Sequence, residues 1–346
     1  MTASSTTGAG DGSRVQAVLS ILRAAGEAGG PGGDWRLTQL EGGWSRHTHV
    51  LSRGEPREGG AYVVRVKPPG GLLDTDLATE YRTYRALEHT TVPIPPVYGC
   101  DDAPDTPFGG PFFVMGWKPG TAPNVWRRRD REQLEADWRS GGTLAGELAR
   151  ILAEIHHVDA AQLGFLGAPM SYQGVVGRWR STYEEMRLVD DPIVAEAFSW
   201  AAARRPSPAP AALVHGDYRI GNMLLHRGRV SAVMDWELAF VGDPQFDLGY
   251  TSLRYVAGRF AGGGSPLLDA VAEREWFYQR YERLSGRAVD REAVRSYAVA
   301  GALMLITILC TGVRMYEEGR TADIRMAWNR FAIPGLRQEL VSLMGW

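Results

Sequence analysis

The sequence predicts an α+β chain with a small, mostly antiparallel β portion at its N-terminal end and a larger, mainly helical portion behind it. Three observations carry this. Apolar residues alternate in short runs before residue 117, as half-buried strands require; from Thr121 onward they recur at helical spacing. Between the two lies Gly116-Trp117-Lys118-Pro119-Gly120, whose glycines and proline punctuate the chain. With 346 residues and 44% apolar content there is enough chain for two lobes and enough apolar surface for a core. The expected organisation is a disordered segment over 1–14, an N-terminal lobe over 15–116, a hinge at 117–120 and a C-terminal lobe over 121–346.

Residues 1–14 are small and polar and lack the apolar core of a signal peptide. Val15, Val18, Leu19 and Leu22 predict a short amphipathic helix, which the run Gly29 to Gly33 ends. Leu37 to Leu51 reads as strand, glycine turn, strand. Gly42-Gly43 followed by Ser45 makes a hairpin turn, and in a nucleotide-binding lobe Gly43 and Ser45 would offer backbone donors to phosphates. Ala61 to Pro68 is the next strand, with Arg65 and Lys67 two apart and so on one face. A helix from about Leu72 to His89 carries Glu80 on a face with Leu77, Tyr84 and Leu87. Val92 to Pro96 is held extended by its prolines, and Phe112 to Met115 reads as a buried strand leading into the hinge.

In the helical portion, Arg127, Arg128, Arg129 and Arg131 with Glu132, Glu135 and Asp137 read as a solvated helix face. Leu144, Leu148, Ile151, Leu152 and Ile155 make an apolar stripe ending at His156-His157, which read as packing or capping groups. Trp179, Tyr183 and Met186 form a second stripe. Helices are expected near 267–285, 290–317 and 321–343. Tyr297 to Val313 contains 17 uncharged residues, at the short edge of what crosses a membrane. It includes Gly301 and Gly312 and continues an amphipathic turn, so it reads as a helix buried in the C-terminal lobe.

The stretch the rest serves is Leu213 to Tyr250. Asn222 follows Asp217 by five residues, and Asp235 follows it by eighteen, after a hairpin with Gly228 at its turn. A carboxylate, an amide and a second carboxylate at these intervals suit a site that deprotonates a hydroxyl while holding Mg2+ on a nucleotide's phosphates. The five-residue interval is that of the kinase catalytic loop, which a metal-binding Asp follows downstream. The segment departs from protein kinases in having Gly216 where they carry Arg, and Asp235-Trp236-Glu237 where they carry Asp-Phe-Gly. In these departures HGDYRIGN and DWELAFVGDPQFDLGY resemble the aminoglycoside phosphotransferase family, in particular the branch that includes kinase domains fused to some acyl-CoA dehydrogenases.

The resemblance runs from about Leu37 to the last helices and implies a two-lobed protein-kinase-like fold. It implies ATP and Mg2+ as cofactors, with ATP between the lobes and Mg2+ on Asn222 and Asp235. Asp217 would be the base, and Arg219 would contact the γ-phosphate. Arg65 or Lys67 would bridge the α/β-phosphates and Glu80; the family favours Arg65, the scarcity of lysine favours Lys67, and both stay open. Adenine would meet the Gly116 carbonyl and the Lys118 N–H behind Met115. His215 and Asp247 would support the catalytic loop, Asp243 would cap the helix after it, and Glu237 would stand behind the metal ligands.

The implied activity is phosphate transfer to a hydroxyl of a small molecule: an antibiotic, another secondary metabolite or a hydroxyacyl compound. A catalytically weak nucleotide-binding scaffold is the alternative reading. From residue 201 to the end there are 18 arginines against 15 acids, a balance that argues against a polycationic acceptor. A net charge of −2 offers no electrostatic basis for a nucleic acid or a membrane surface as partner. Cys100 and Cys310 lack metal-ligand spacing and fit a reducing cytoplasm. A monomer or homodimer is expected.

Overall fold

A computed structural model describes residues 9–27, 34–40, 45–56, 60–68, 72, 75–259, 267–268 and 271–346. The chain divides into two compact units: Met1–His89 with Ile94–Pro119, and Thr90–Pro93 with Gly120–Trp346.

Unit 1 comprises helix α1 (Ala9–Ala24), strands β1 (Arg36–Leu40), β2 (His47–Ser52) and β3 (Tyr62–Val66), helix α2 (Leu77–Leu87), and strands β4 (Val97–Asp101) and β5 (Phe112–Gly116). The strands form one antiparallel sheet in the order β1-β2-β3-β5-β4. Period-2 alternation puts Tyr62, Val64 and Val66 into the core and leaves Val63 and Arg65 half-buried. Val18, Leu19 and Leu22 of α1 pack on Leu51, Tyr62, Val64, Val66, Phe112 and Val114. Each such side chain contributes about 1.5–3 kcal/mol by leaving water.

Two expectations are corrected here. The segment 9–14, expected to be disordered, is the first part of α1. Asp11 stands in its first turn, where a negative charge suits the helix dipole, and Arg14 donates to the Pro107 carbonyl at 3.0 Å. The helix expected from Leu72 starts at Leu77, because Asp76 caps it by accepting from the N–H groups of Ala78 and Thr79.

Unit 2 runs through helices α3 (Arg128–Arg139), α4 (Leu144–Ile155), α5 (Tyr172–Met186) and α6 (Pro192–Ala203) to short strand β6 (Ala212–Val214). A hairpin of β7 (Met223–His226) and β8 (Arg229–Val233) follows, then β9 (Phe240–Gly242), which pairs with β6, and helix α7 (Gln245–Thr251). Helices α8 (Arg274–Ser285), α9 (Arg291–Glu317) and α10 (Ile324–Met344) complete it. The helix expected near 267–285 begins only at Arg274. On α3 Arg128 and Glu132 pair at 2.6 Å on the exposed face, but Glu135, expected to be solvated with them, is buried and pairs with Arg139 and Arg259.

The apolar run Tyr297–Val313 lies inside α9. This helix is long and apolar enough to cross a membrane, yet 94% of its most apolar window is buried within the unit. Its neighbours include α10, α7, α5 and α6. At the α7 contact a Cβ on Gly249 would stand 2.7 Å from both the Ala298 nitrogen and the Val294 oxygen. These are backbone atoms of α9 and cannot swing aside. Gly249→Ala should therefore cost about 2 kcal/mol through overpacking. Urea unfolding checks this, and an unchanged midpoint would show that α7 does not depend on close approach to α9.

Candidate active site

In unit 2 the central block folds as β6, a loop, one 3-10 turn (Ile220–Asn222) and the β7–β8 hairpin. The hairpin turn is Arg227-Gly228, with φ of 51° and 76°; both positive values match the twist of the flanking strands. Pairing in the hairpin returns the chain to the turn that precedes it, where the Met234 N–H donates to the Asn222 carbonyl at 2.8 Å. Asp235 thus begins one residue beyond a direct backbone link to Asn222. Asp235 itself is left-handed, φ 71° and ψ 61°. For a non-glycine residue this costs on the order of 1 kcal/mol, and Asp is among the few types that tolerate it.

Asp217 and Asn222 are in direct contact. The Asn222 Nδ2 donates to the Asp217 carbonyl at 2.9 Å and to Asp217 Oδ2 at 2.7 Å, which turns the amide nitrogen to that carboxylate and its oxygen away from it. Arg219 Nε donates to Asp217 Oδ1 at 2.9 Å. Burial works against the charge of Arg219, but the Asp217 carboxylate outweighs it and keeps the guanidinium protonated, with Asp235 adding to the effect. Tyr250 and Tyr255 border the same carboxylate. Burial first, and then the charge of Asp217, pushes the Tyr250 phenol well above its ordinary value; burial pushes Tyr255 up to about 12. Trp126 lies edge-on to Tyr255, with ring centroids 5.0 Å apart, and is 42% exposed.

The loop before Asp217 hangs on Asp247, which is fully buried. Its Oδ2 accepts the His215 N–H at 2.8 Å and its Oδ1 the Gly216 N–H at 2.9 Å. His156, at the end of α4, reaches Oδ2 through Nε2 at 3.1 Å and Tyr281 through Nδ1 at 2.7 Å. Burial pushes the His156 imidazole below its ordinary value, against the pull of Asp247. His215 Nδ1 accepts the Asp217 N–H at 3.2 Å, so Nε2 carries the proton it gives to the Met234 carbonyl at 3.1 Å. Trp236 packs on that ring, centroids 4.4 Å apart. Gly216 has φ +83°, and a Cβ there would lie 2.4 Å from the Leu238 carbonyl oxygen. The glycine that replaces the kinase arginine is therefore required by its backbone. Asp243 accepts the Gln245 N–H at 2.9 Å, at the start of α7.

In unit 1 Glu80 is fully buried on α2 and holds two arginines. Arg65 Nη2 stands 3.4 Å from Glu80 Oε1. Arg46 Nε stands 3.2 Å from Glu80 Oε2, with both side chains at 0% exposure. Lys67 follows the end of β3, where its N–H donates to the Pro111 carbonyl at 2.9 Å. Ser45 is buried beside Arg46, while Gly43 lies outside the described residues. Met115 is fully buried in β5; Gly116 closes the strand with its N–H on the Pro96 carbonyl at 2.8 Å, and Lys118 is half-buried two residues on.

Sequence reasoning passed over Arg46, and it assigned His156 to packing without its bond to Asp247. Neither carries a signal in one sequence, since each works through a partner about 34 or 91 positions away. Tyr255 and Trp126 were missed for the same reason. Among the described residues no cluster of three or more His, Cys, Asp or Glu side chains is placed to hold a metal. The metal donors in this site would include an amide, which such a cluster does not count.

An antiparallel five-stranded unit and a helical unit with this loop define a protein-kinase-like phosphotransferase fold. The model of the phosphotransferase enzyme family matches residues 36–287, and the chain belongs to that family. It is 33% identical over 234 residues to acyl-CoA dehydrogenase family member 11 of Gallus gallus, covering 65% of this chain and 29% of that protein. The chain thus spans less than a third of the curated relatives it matches. A putative aminoglycoside phosphotransferase from Ralstonia eutropha superposes with a TM-score of 0.72 at 22% identity, covering 95% of this chain and 98% of that one. A thermostable mutant of the aminoglycoside phosphotransferase APH(4)-Ia, solved with ADP and hygromycin B, gives 0.59 at 17% identity, covering 95% and 99%.

Two consequences are measurable. Arg46→Met would strip a buried carboxylate of its fully buried partner and should cost about 3 kcal/mol, read as a lower urea midpoint; a neutral effect would mean Arg65 alone satisfies Glu80. The pH consequence concerns His156, whose folded-state pKa lies below 6.5. The unfolded chain takes up that proton first, so the stability this group contributes is whole above about 6.5 and is lost as pH falls below it. His156→Gln should flatten the acid-side slope of unfolding free energy against pH; an unaltered slope would remove His156 from the account.

Proposed function

We propose that the chain transfers the γ-phosphate of ATP to a hydroxyl group of a small molecule. The observation that carries this reading is the Asp217–Asn222–Arg219 cluster, with Asp235 returned to it by the hairpin. Asp217 would orient the acceptor hydroxyl and take its proton. Arg219, kept charged beside it, would meet the γ-phosphate. Transfer of this kind needs positioning and charge compensation more than covalent chemistry, and a base held by two side-chain donors is already positioned. The donor set fits Mg2+: the Asn222 amide oxygen and the Asp235 carboxylate would hold it, and the ion would compensate phosphate charge. In unit 1, Arg65 on Glu80 would meet the α/β-phosphates, Gly43 and Ser45 would add donors, and Met115, Gly116 and Lys118 would flank adenine. The ADP found in a neighbour of the same fold supports a nucleotide here.

The acceptor is best read as hydroxylated and apolar or anionic. Trp126 and Tyr255 pair next to Arg219, and arginines exceed acids over the last part of the chain. A polycation would find little charge complement there. An antibiotic, another secondary metabolite or a hydroxyacyl compound fits, and ATP with two free thiols suits the cytoplasm.

Labelled ATP and a panel of hydroxylated metabolites and antibiotics, read by mass spectrometry, tests the reading. Asp217→Asn should lower transfer by about 100- to 10,000-fold while ATP affinity is retained. An Asp217→Asn protein as active as the parent would remove Asp217 as base, and failure of every acceptor with the parent would favour a nucleotide-binding scaffold.

A further inference from the structure

Unit 2 holds a cavity of about 360 Å³ that none of the partners of Asp217 lines. It is bounded by the segment after α7, the N-terminal turns of α8 and α9 and the C-terminal turn of α10. Four guanidiniums, those of Arg254, Arg274, Arg291 and Arg295, face two carboxylates, Glu275 and Glu339.

The charges are not equally committed. Arg291 is engaged by Glu275 and by Glu282, and Arg295 donates to the Leu343 carbonyl and lies 3.7 Å from Glu292. Glu339 is taken up by the backbone N–H groups of Arg254 and Tyr255. Arg274 uses one donor, Nη2, on the Ser252 carbonyl at 3.1 Å. Arg254 is exposed, and the hydrogen bonds recorded for it among the described residues run through its backbone, its N–H to Glu339 and its carbonyl from the Arg259 N–H. Tyr278 is the second, independent observation. The residue is 3% exposed and lines the cavity beside Ser252, whose hydroxyl gives its proton to the Gly249 carbonyl, and the Tyr278 hydroxyl has no hydrogen-bond partner within 3.5 Å among the described residues. A buried hydroxyl without a partner costs about 1–3 kcal/mol, and native folds rarely leave one so. Val294, Ala298 and Leu343 supply apolar wall.

We infer that this pocket binds a small organic anion, its phosphate or carboxylate head on the Arg254 and Arg274 guanidiniums and the Tyr278 hydroxyl, its apolar body against Val294, Ala298 and Leu343. Guanidinium matches both heads in a planar fork, so the shared chemistry is the anionic oxygen pair. The volume exceeds what an inorganic ion needs and falls at the low end of small-molecule pockets. The inference is independent of the phosphotransfer reading, since it uses none of its residues.

Calorimetric titration of the whole chain with phenylphosphonate, benzoate and phenol tests it. At least one of the two anions should bind one-to-one, the tighter one naming the head group, and neutral phenol should not bind. Arg274→Ala and Arg254→Ala should each weaken the anion about tenfold, as loss of a charge-assisted hydrogen bond does. Arg254 is exposed, so its variant should unfold at the parent's midpoint and separate binding from folding. Arg219→Ala should leave the titration unaltered. No heat with either anion, equal binding of phenol, indifference to both pocket variants, or loss of binding in Arg219→Ala would each overturn the assignment.

Discussion

The candidate site depends on one buried carboxylate. Asp247 has no exposure to water and would be strongly unfavourable there without donors. It receives two backbone N–H groups from the loop entering Asp217 and the imidazole of His156 from the end of α4. Each donor is fixed by its own element, so the carboxylate dictates where the loop runs. The loop can comply because Gly216 takes a left-handed conformation beneath the Leu238 carbonyl, where any Cβ would collide. His215 then passes the constraint on, from the Asp217 backbone to the Met234 carbonyl immediately before Asp235. One network therefore sets both ends of the hairpin that separates Asp217 from Asp235.

Within that frame the polar groups near Asp217 are divided rather than shared. The Asn222 amide gives its nitrogen to Asp217, and under the proposed function its oxygen would go to the metal ion. Asp235 accepts backbone strain at the point where a straight continuation of β8 would carry it away. Strain at such a position is affordable because the hairpin and the His215 bridge over-determine it. Arg219 is the exception, since it binds the Asp217 carboxylate directly; under the proposed function it would release part of that contact to meet a phosphate.

Much of this was legible in the sequence because it is local. The intervals from Asp217 to Asn222 and Asp235, the hairpin turn at Gly228 and the stripe from Leu144 to Ile155 all follow from residues near one another. So does the reading of β3, with Arg65 facing α2. What escaped was long-range pairing. Arg46 looks like an ordinary loop arginine until Glu80, 34 positions away, proves to be buried against it. His156 looks like a helix terminus until Asp247 is placed beside it. Boundaries failed where a single polar residue decided them: Asp76 starts α2 late, and Asp11 and Arg14 let α1 begin before its apolar stripe.

Helix α9 shows how the same pattern changes meaning with its surroundings. By length and apolarity it matches a membrane-crossing helix, and composition alone does not decide otherwise. The small residues decide it. Gly249 of α7 rests directly on the α9 backbone at Val294 to Ala298, and Gly301 of α9 meets the Tyr250 ring at 3.2 Å from where a Cβ would be. Thr307 and Thr311 turn their hydroxyls back onto the carbonyls of Leu303 and Thr307, so the buried helix leaves them no unmet polar demand. The close contact fixes the height of α7, and α7 carries both Asp247 and Tyr250, three residues apart and so neighbours on its surface. Helix α9, which gives no side chain to the Asp217 cluster, thereby sets the position of the carboxylate on which the loop before Asp217 hangs.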